Sequence, residues 1–472
     1  AYNVNIKRNF IKEQVCMGKS NTLRTFYILI VTQTLSLIGS RMTGLAIGIK
    51  VFQDTEQATP LALAAFFGTL PRIVSASIAG VLADRWDRRY VMMISDAGQA
   101  VGTLVLLVTF ATGTFELWHL YVVSLIQSVF GVFQEPAFQA SVTMLVPDEH
   151  RDRANVVQQL TGPASSIVAP VLAGLLFVVI GAVGVMTIDL VTFLIAVAVV
   201  LVVHIPRPEQ TAEGKAMQQA SVWKESLVGL RFLRGRRALL ISVLYVSLVN
   251  FLIVGAMVLS TPYILSLTRS EAAVGTLQAA FSAGSLVGGI VMSIWGGTRP
   301  RIHTIMPGIA AVGLGLAAYG MARNPILLGA ALCVMAFPLP MINASFMSIM
   351  QIKTPPDVQG RVFATLGQIS MFLMPISTLL AGPLADRVFE PAVGGSAWAV
   401  VEPVLGTHSG AGMGLIMLIS GSLIALVTLA VYTLPMIRQM EAILPDYTPV
   451  AVEVPGTSDG ERSSSAEPAA VL

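Results

Sequence analysis

Charge is what this chain lacks. Of its 472 residues only 12% are Asp, Glu, Lys or Arg, while 54% are hydrophobic and 7% aromatic. A soluble domain carries about a quarter charged residues, so this composition excludes an ordinary water-solvated core and points to lipid as the solvent. The net charge of +3 comes with no basic patch interleaved with aromatics, which excludes nucleic acid as a partner. Cysteine is nearly absent: Cys16 and Cys333 stand alone and support neither a disulfide framework nor a metal site. No Gly-x-Ser-x-Gly, His-Glu-x-x-His or phosphate-cradling loop occurs, and no His–carboxylate pair lies within an apolar run. No enzyme, no catalytic residue, no metal and no organic cofactor is therefore expected.

Long apolar runs are what is present. A helix needs roughly 20 apolar residues to cross the hydrocarbon of a bilayer. On that measure the chain predicts twelve spans, at about 22–52, 59–84, 90–112, 117–146, 154–181, 184–204, 238–267, 272–296, 303–322, 325–352, 361–386 and 411–436. The first run, Phe26 to Val51, is too long for a signal peptide and lacks a small-residue cleavage pattern, so it is expected to remain as a span. Five segments follow: an N-terminus at 1–21, a six-helix bundle at 22–204, a basic linker at 205–237, a second six-helix bundle at 238–438, and a tail at 439–472 rich in Pro, Ser, Glu and Gly that is expected to be disordered. Loops on the side of the N-terminus hold 23 Lys and Arg, and loops on the other side hold only Arg269, Arg323 and Arg387. Positive residues stay inside, so both termini are expected in the cytoplasm, as an even span count also requires.

Six spans, a linker and six more suggest an internal duplication. Gly80-x-x-x-Asp84-x-Trp86 is echoed by Gly289-x-x-x-Ser293-x-Trp295, with the acid lost. The first of these belongs to Gly80-Val81-Leu82-Ala83-Asp84-Arg85-Trp86-Asp87-Arg88-Arg89, a charged turn squeezed between two apolar runs. Its pattern resembles the signature loop of the major facilitator superfamily, with Asp87 where glycine is usual. Gly162 with Ala169-Pro170-x-x-Ala173-Gly174 is similar to the antiporter motif of that family, with two glycines replaced by alanine. Gln134-Glu135-Pro136-Ala137-Phe138 with Leu145-Val146-Pro147-Asp148, and Val358-Gln359-Gly360-Arg361-Val362-Phe363-Ala364, resemble the macrolide-efflux and enterobactin-exporter branch. The resemblance covers about 22–438 and implies an all-α membrane protein of two six-helix bundles that works by alternating access.

For the charged turn it implies a cytoplasmic latch of Gly80, Asp84, Arg85, Arg88, Arg89 and Arg361, in which Asp84 docks on the start of span eleven. An acid at a helix C-terminus is unfavourable unless it finds partners, and a positive anchor with a solvated acid is the plainer alternative. Within the spans, ionisable groups are costly. Away from the span ends they are Arg41, Arg72, Asp96, Glu135 and Asp189, all in the first half, while Lys50 is close enough to its span's end to snorkel. If protons drive the carrier, the titrating group is among them. Glu135, roughly 16 Å deep, is the leading candidate, with Arg41 or Arg72 as its partner. Asp189 is expected to pair with Arg41 or a backbone group, and Asp96 to pack or support the latch. A permanent ion pair that only fixes packing explains Glu135 equally well. The repeat Gly382-Pro383-Leu384-Ala385-Asp386-Arg387 falls on the outer side and is expected to be an unrelated surface turn.

Gly162, Pro163, Pro170 and Gly174 make span five bendable and able to accept a close neighbour, and Gly284 and Gly288 of span eight offer one. Together they form the expected hinge and seal, or simply a packing face. Met341, Asn343, Phe346, Met347, Gln368 and Met371 are expected to line a substrate cavity, because methionine adapts to varied apolar partners. The reading is a cell-membrane exporter of small hydrophobic or amphipathic compounds, a monomer driven by the proton gradient. The alternatives are a siderophore or lipid exporter on the same scaffold, and a non-transporting membrane sensor that uses the linker and tail to bind a partner.

Overall fold

The computed structural model describes residues 2–85, 87–146, 150–203, 237–354 and 359–443. Within these ranges the side chains of 2–22, 76–85, 135, 139–140, 142–144, 151–153, 155, 237, 360–361 and 364 lie outside the description. Helix is the only regular structure among the described residues. The first half contains α1 (Tyr2–Thr55), α2 (Thr59–Arg85), α3 (Arg88–Thr112), α4 (Leu117–Leu145) and α5 (Arg151–Val202). The second contains α6 (Arg237–Met257), α7 (Ser260–Thr268), α8 (Glu271–Trp295), α9 (Ile302–Met321), α10 (Pro325–Ala336), α11 (Leu339–Lys353), α12 (Gln359–Met371), α13 (Met374–Leu384) and α14 (Ala411–Thr433). Ten helical stretches among the described residues are long and apolar enough to cross a bilayer, and Thr59–Ser75 is a shorter apolar one.

One of the ten, Val156–Val202, runs for 47 residues. Gly181 inside it has φ 65° and ψ −176°, a conformation open to glycine and not to a helix. In a straight helix Ser166 and Asp189 would lie roughly 34 Å apart at 1.5 Å per residue. Yet Ser166 bonds Arg41 and Asp189 bonds Ser40, neighbours on α1. Ala154 and Val200 likewise pack into one cluster. The stretch therefore doubles back at Gly181, and its two arms lie side by side.

Three other stretches are broken in a common way. Proline has no N–H to give the carbonyl four residues earlier. Pro262, Pro340 and Pro375 would have bonded Val258, Ala336 and Met371, and α6, α10 and α12 end at Met257, Ala336 and Met371. Side chains bridge two of these broken stretches of the second half: Asn250 Nδ2 donates to Ser370 O at 3.1 Å, and the Ser377 hydroxyl donates to Phe251 O.

The largest cluster of buried apolar side chains runs through both halves, from Met42 and Ala46 of α1 to Ile424 of α14. The periphery is apolar too: Val179, Ile294 and Ile326 are 78%, 82% and 83% exposed. Water would not tolerate a surface of this kind, whereas lipid tails solvate it.

Candidate functional site

The first half encloses a chain of polar side chains. Asp96 on α3 is 0% exposed and Asp189 on the second arm of α5 is 1% exposed. Asp96 Oδ2 accepts from Gln33 Nε2 at 2.9 Å, and its Oδ1 accepts from Gln134 Nε2. Gln134 Nε2 also donates to Gln33 Oε1 at 3.0 Å, and its Oε1 accepts from Gln99 Nε2 at 2.7 Å. Gln127 Nε2 donates to the backbone carbonyl of Gln99 and to Thr103 Oγ1, each at 3.1 Å. Thr103 Oγ1 donates to Asp189 Oδ2 at 3.2 Å, and Ser40 Oγ donates to Asp189 Oδ1 at 3.3 Å. Two buried carboxylates are thus joined by four glutamines and a threonine drawn from α1, α3 and α4. Polar groups in hydrocarbon must be satisfied within the protein, and this ribbon does so without an ion pair among the described residues.

Asp189 ends the ribbon on the wall of a cavity of about 310 Å³. Ser40, Thr43, Gln99, Ser124 and Gln127 supply the rest of its polar wall, while Leu61, Leu106, Leu120 and Phe193 supply apolar wall. Val258 and Thr261 from the second half close one side, so the cavity lies where the halves meet. An apolar chamber with a few convergent polar groups is the usual form of a small-molecule site.

The halves are bound together at the end of the bundle where α2 begins, opposite the end where α3 begins. Asp386, in the π-helical turn Ala385–Phe389, reaches the start of α2. Its carboxylate accepts from Ala58 N at 2.9 Å, Thr59 N at 2.7 Å and Thr59 Oγ1 at 2.5 Å. The first N–H groups of a helix have no partner within it and carry partial positive charge, so the cap of α2 comes from the other half. Gly382 permits the approach, since a Cβ there would sit 2.6 Å from the Thr59 Cα. Gln53 Nε2 adds a bond to Glu271 Oε1 at 2.5 Å, and deeper in, Ser282 Oγ donates to Ser166 O at 2.8 Å.

The Major Facilitator Superfamily model matches residues 29–378. The chain belongs to that superfamily. Its relatives within the superfamily include macrolide efflux protein A of Streptococcus pyogenes, 28% identical over 77% of this chain and 90% of that one. The multidrug efflux pump Tap of Mycolicibacterium fortuitum is 24% identical over 78% and 91%, and the enterobactin exporter EntS of Salmonella typhi 22% over 71% and 80%. Among solved structures, the nucleoside transporter NupG superposes with a TM-score of 0.64 at 14% identity, covering 87% of this chain and 99% of that one. A bacterial homologue of the lysosomal transporter Spinster, in an inward-facing and unoccupied conformation, gives 0.65 at 13%, covering 91% and 99%. The fold is that of the superfamily, whose members are transporters and not enzymes, and the protein is a multi-pass membrane protein.

The superfamily's signature turn lies mostly outside the description. Gly80, Asp84 and Arg85 fall in the last turns of α2 and Arg361 in the first turn of α12, and their side chains lie outside the described residues, as does that of Glu135 in α4. Arg88 opens α3, capped by Asp87, whose side chain accepts from Arg89 N at 3.0 Å. Arg89 stays within its own half: Nε donates to Val200 O at 2.9 Å and Nη2 to Leu201 O, capping the end of α5. Arg41 donates to the Ser166 hydroxyl rather than to Asp189, and Arg72 is exposed.

Of the expected hinge, Pro163 and Pro170 lie within the first arm of α5, and Gly162 has open space beside it. A Cβ on Gly174 would lie 3.1 Å from Glu271 O and 3.2 Å from the Gly275 Cα. Gly275, one stripe earlier on α8, is therefore the partner across the join. Gly284 and Gly288 face the other way, onto Cys333 and Phe337 of their own half, because the α8 stripe that contains them packs on α10. Of the expected cavity residues Met341 is buried, Phe346 and Gln368 are half-buried, and Asn343, Met347 and Met371 are exposed; the cavity beside Asp189 is built from other residues. The turn at 382–387 is not a free surface feature: Gly382 and Asp386 make the contact between halves. Of the ribbon glutamines, Gln134 belongs to a sequence motif, and no expected site includes any of the four. Their signal was four amides, Gln33, Gln99, Gln127 and Gln134, inside predicted spans.

Proposed function

We propose that the protein is a secondary active exporter of small hydrophobic or amphipathic compounds, driven by proton exchange. The observation that carries this is the placement of Asp189, a buried carboxylate, on the wall of a chamber between the halves. The macrolide-efflux and multidrug-efflux relatives support export as the direction and a drug-type compound as the substrate. The span count is twelve, with two spans in α5 on either side of Gly181 and one in α2, arranged as bundles at 22–204 and 238–438. The Lys and Arg asymmetry supports a cell-membrane protein with both termini and the charged stretch at 80–89 in the cytoplasm.

On that orientation the Asp386–Thr59 contact lies outside, and the bundle is held shut there. The state shown is then the one that takes substrate from the cytoplasm. Asp84 with Arg85, Arg88, Arg89 and Arg361 closes the opposite face in the other state. Alternation between the two is a shift of population between discrete packings.

The test is accumulation of a labelled macrolide in a susceptible bacterial host. Cells expressing the protein should hold several-fold less than cells expressing Asp189→Asn, and a protonophore should abolish the difference. Equal accumulation in all arms would refute the reading. Export of a catecholate siderophore but not of macrolide would favour the enterobactin-type alternative, for which the relative at 22% identity speaks.

A further inference from the structure

We infer that the two buried carboxylates are built for different protonation states: Asp96 is held as a fixed anion, and Asp189 is the group that takes up and releases the transported proton. This deepens the proton-coupled reading and rests on it for its meaning in transport. The geometry alone makes the distinction.

A carboxylate that gains a proton turns one of its oxygens from acceptor to donor. The groups around it must then be able to accept. Amide N–H groups cannot, whereas a hydroxyl can donate or accept by rotating.

Asp96 is faced by amides. Their orientation is fixed along the ribbon: Gln99 Nε2 donates to the backbone carbonyl of Ser95 at 3.2 Å, so its nitrogen is identified by an obligate acceptor. The same nitrogen donates to Gln134, which fixes Gln134 Oε1 as the acceptor and Gln134 Nε2 as the donor to Asp96 and to Gln33 Oε1. Gln33 Nε2 is then the second donor to Asp96. Both Asp96 oxygens meet N–H groups, and a proton on either would point at a donor.

Asp189 is faced by hydroxyls. Thr103 Oγ1 already accepts from Gln127, which directs its own proton to Asp189 Oδ2. Ser40 Oγ lies 3.3 Å from Asp189 Oδ1 and 3.0 Å from its own i−4 carbonyl, Ser36 O. When Oδ1 is ionised, Ser40 donates to it. When Oδ1 carries a proton, the Ser40 hydroxyl turns to Ser36 O and accepts through its free lone pair. The Thr43 hydroxyl faces the same carboxylate, and as a hydroxyl it too can meet either state. The proton comes from water in the cavity that Asp189 lines and returns there.

The charged neighbours leave this choice alone. On α1, Arg41 is turned to Ser166, and Lys50 is paired with Asp54 at 2.6 Å. On α2, Arg72 is exposed, and on α3 the next ionisable group is Asp96 itself. Glu135 on α4 has its side chain outside the described residues, and α5 from Ala154 to Val203, like the stretch from Ala238 to Thr268, contains no other carboxylate, Lys, Arg or His.

Infrared difference spectroscopy of the full chain in lipid films, stepped through pH, reads the carbonyl stretch of a protonated buried carboxylic acid without requiring transport. A titrating component of this band is expected in the wild type and in Asp96→Asn and Glu135→Gln, and should be lost in Asp189→Asn. Ser40→Ala guards against a misfolded Asp189 variant. It should move the midpoint by about 0.7 of a pH unit, the size of one neutral hydrogen bond, whereas a purely structural serine would leave it in place. A component that survives Asp189→Asn and vanishes in Asp96→Asn or Glu135→Gln, or no titrating component at all, overturns the assignment. A band that titrates as expected in a protein that does not exchange protons for substrate would overturn the functional reading and leave the assignment standing.

Discussion

Asp386 caps the helix that begins at Thr59, 327 residues away in the sequence, accepting both its backbone N–H at 2.7 Å and its hydroxyl at 2.5 Å. Hydrogen bonds to a charged acceptor contribute roughly 1.5–3 kcal/mol, and this one forms only while the halves are closed at that end. Asp386→Ala should therefore shift the population toward the state open there by about 2 kcal/mol, roughly thirty-fold. Thiol labelling of a cysteine placed at Ala62, beside Gly382, should speed up accordingly. An unchanged labelling rate would remove the contact from the closing mechanism.

The second prediction concerns how close α5 and α8 come. A Cβ on Gly275 would be 3.1 Å from the Gly174 Cα and closer still to Pro170 O, a backbone atom that cannot move aside. Gly275→Ala should wedge the halves apart and cut transport at least ten-fold with normal membrane insertion. Gly162→Ala, with open space around it, should leave transport intact and stabilise its helix by up to about 1 kcal/mol. Transport rates beside thermal unfolding in detergent check both.

Asp96 offers a stability test. Asp96→Leu leaves Gln33 and Gln134 with buried N–H groups unpaired, at about 1–3 kcal/mol. Asp96→Asn keeps the shape but sets an amide donor against one of the two. Both should lower the unfolding midpoint, Leu more than Asn. A midpoint within error of the wild type would mean that the ribbon is not a structural unit.

If Asp84 serves the proposed latch, Asp84→Asn should reduce transport and spare insertion. Full transport by this variant would leave the charged turn as an anchor only. A reporter fused after Arg387 should read as external, and a cytoplasmic signal there would overturn the orientation.

The helical architecture was legible because apolar runs of membrane length have few other uses. The breaks inside three of these runs were not legible from length alone; Pro262, Pro340 and Pro375 set them, since a missing N–H acts on a carbonyl a fixed four residues back. What could not be read was direction around a helix. Gly284 and Gly288 were expected to meet Gly174, and Gly275 does so instead, because small residues recur on more than one stripe of the helix and only packing selects one. Asp386 was hidden for another reason. Its letters repeat the signature turn on the wrong side, and nothing in the sequence joins residue 386 to residue 59. The role of the glutamines was not legible because an uncharged amide in a span carries no signal of its partner, whereas in the fold Gln33 and Gln134 do the bonding around Asp96.

The measurement closest to the central claim is transport by the purified full chain in proteoliposomes under an imposed pH gradient. Labelled macrolide should move against its own gradient when protons are driven the other way, reverse when the pH gradient is reversed, and stop in Asp189→Asn while Glu135→Gln continues. Uphill movement that ignores the pH gradient, or that persists in Asp189→Asn, would contradict a proton exchanger built on that carboxylate.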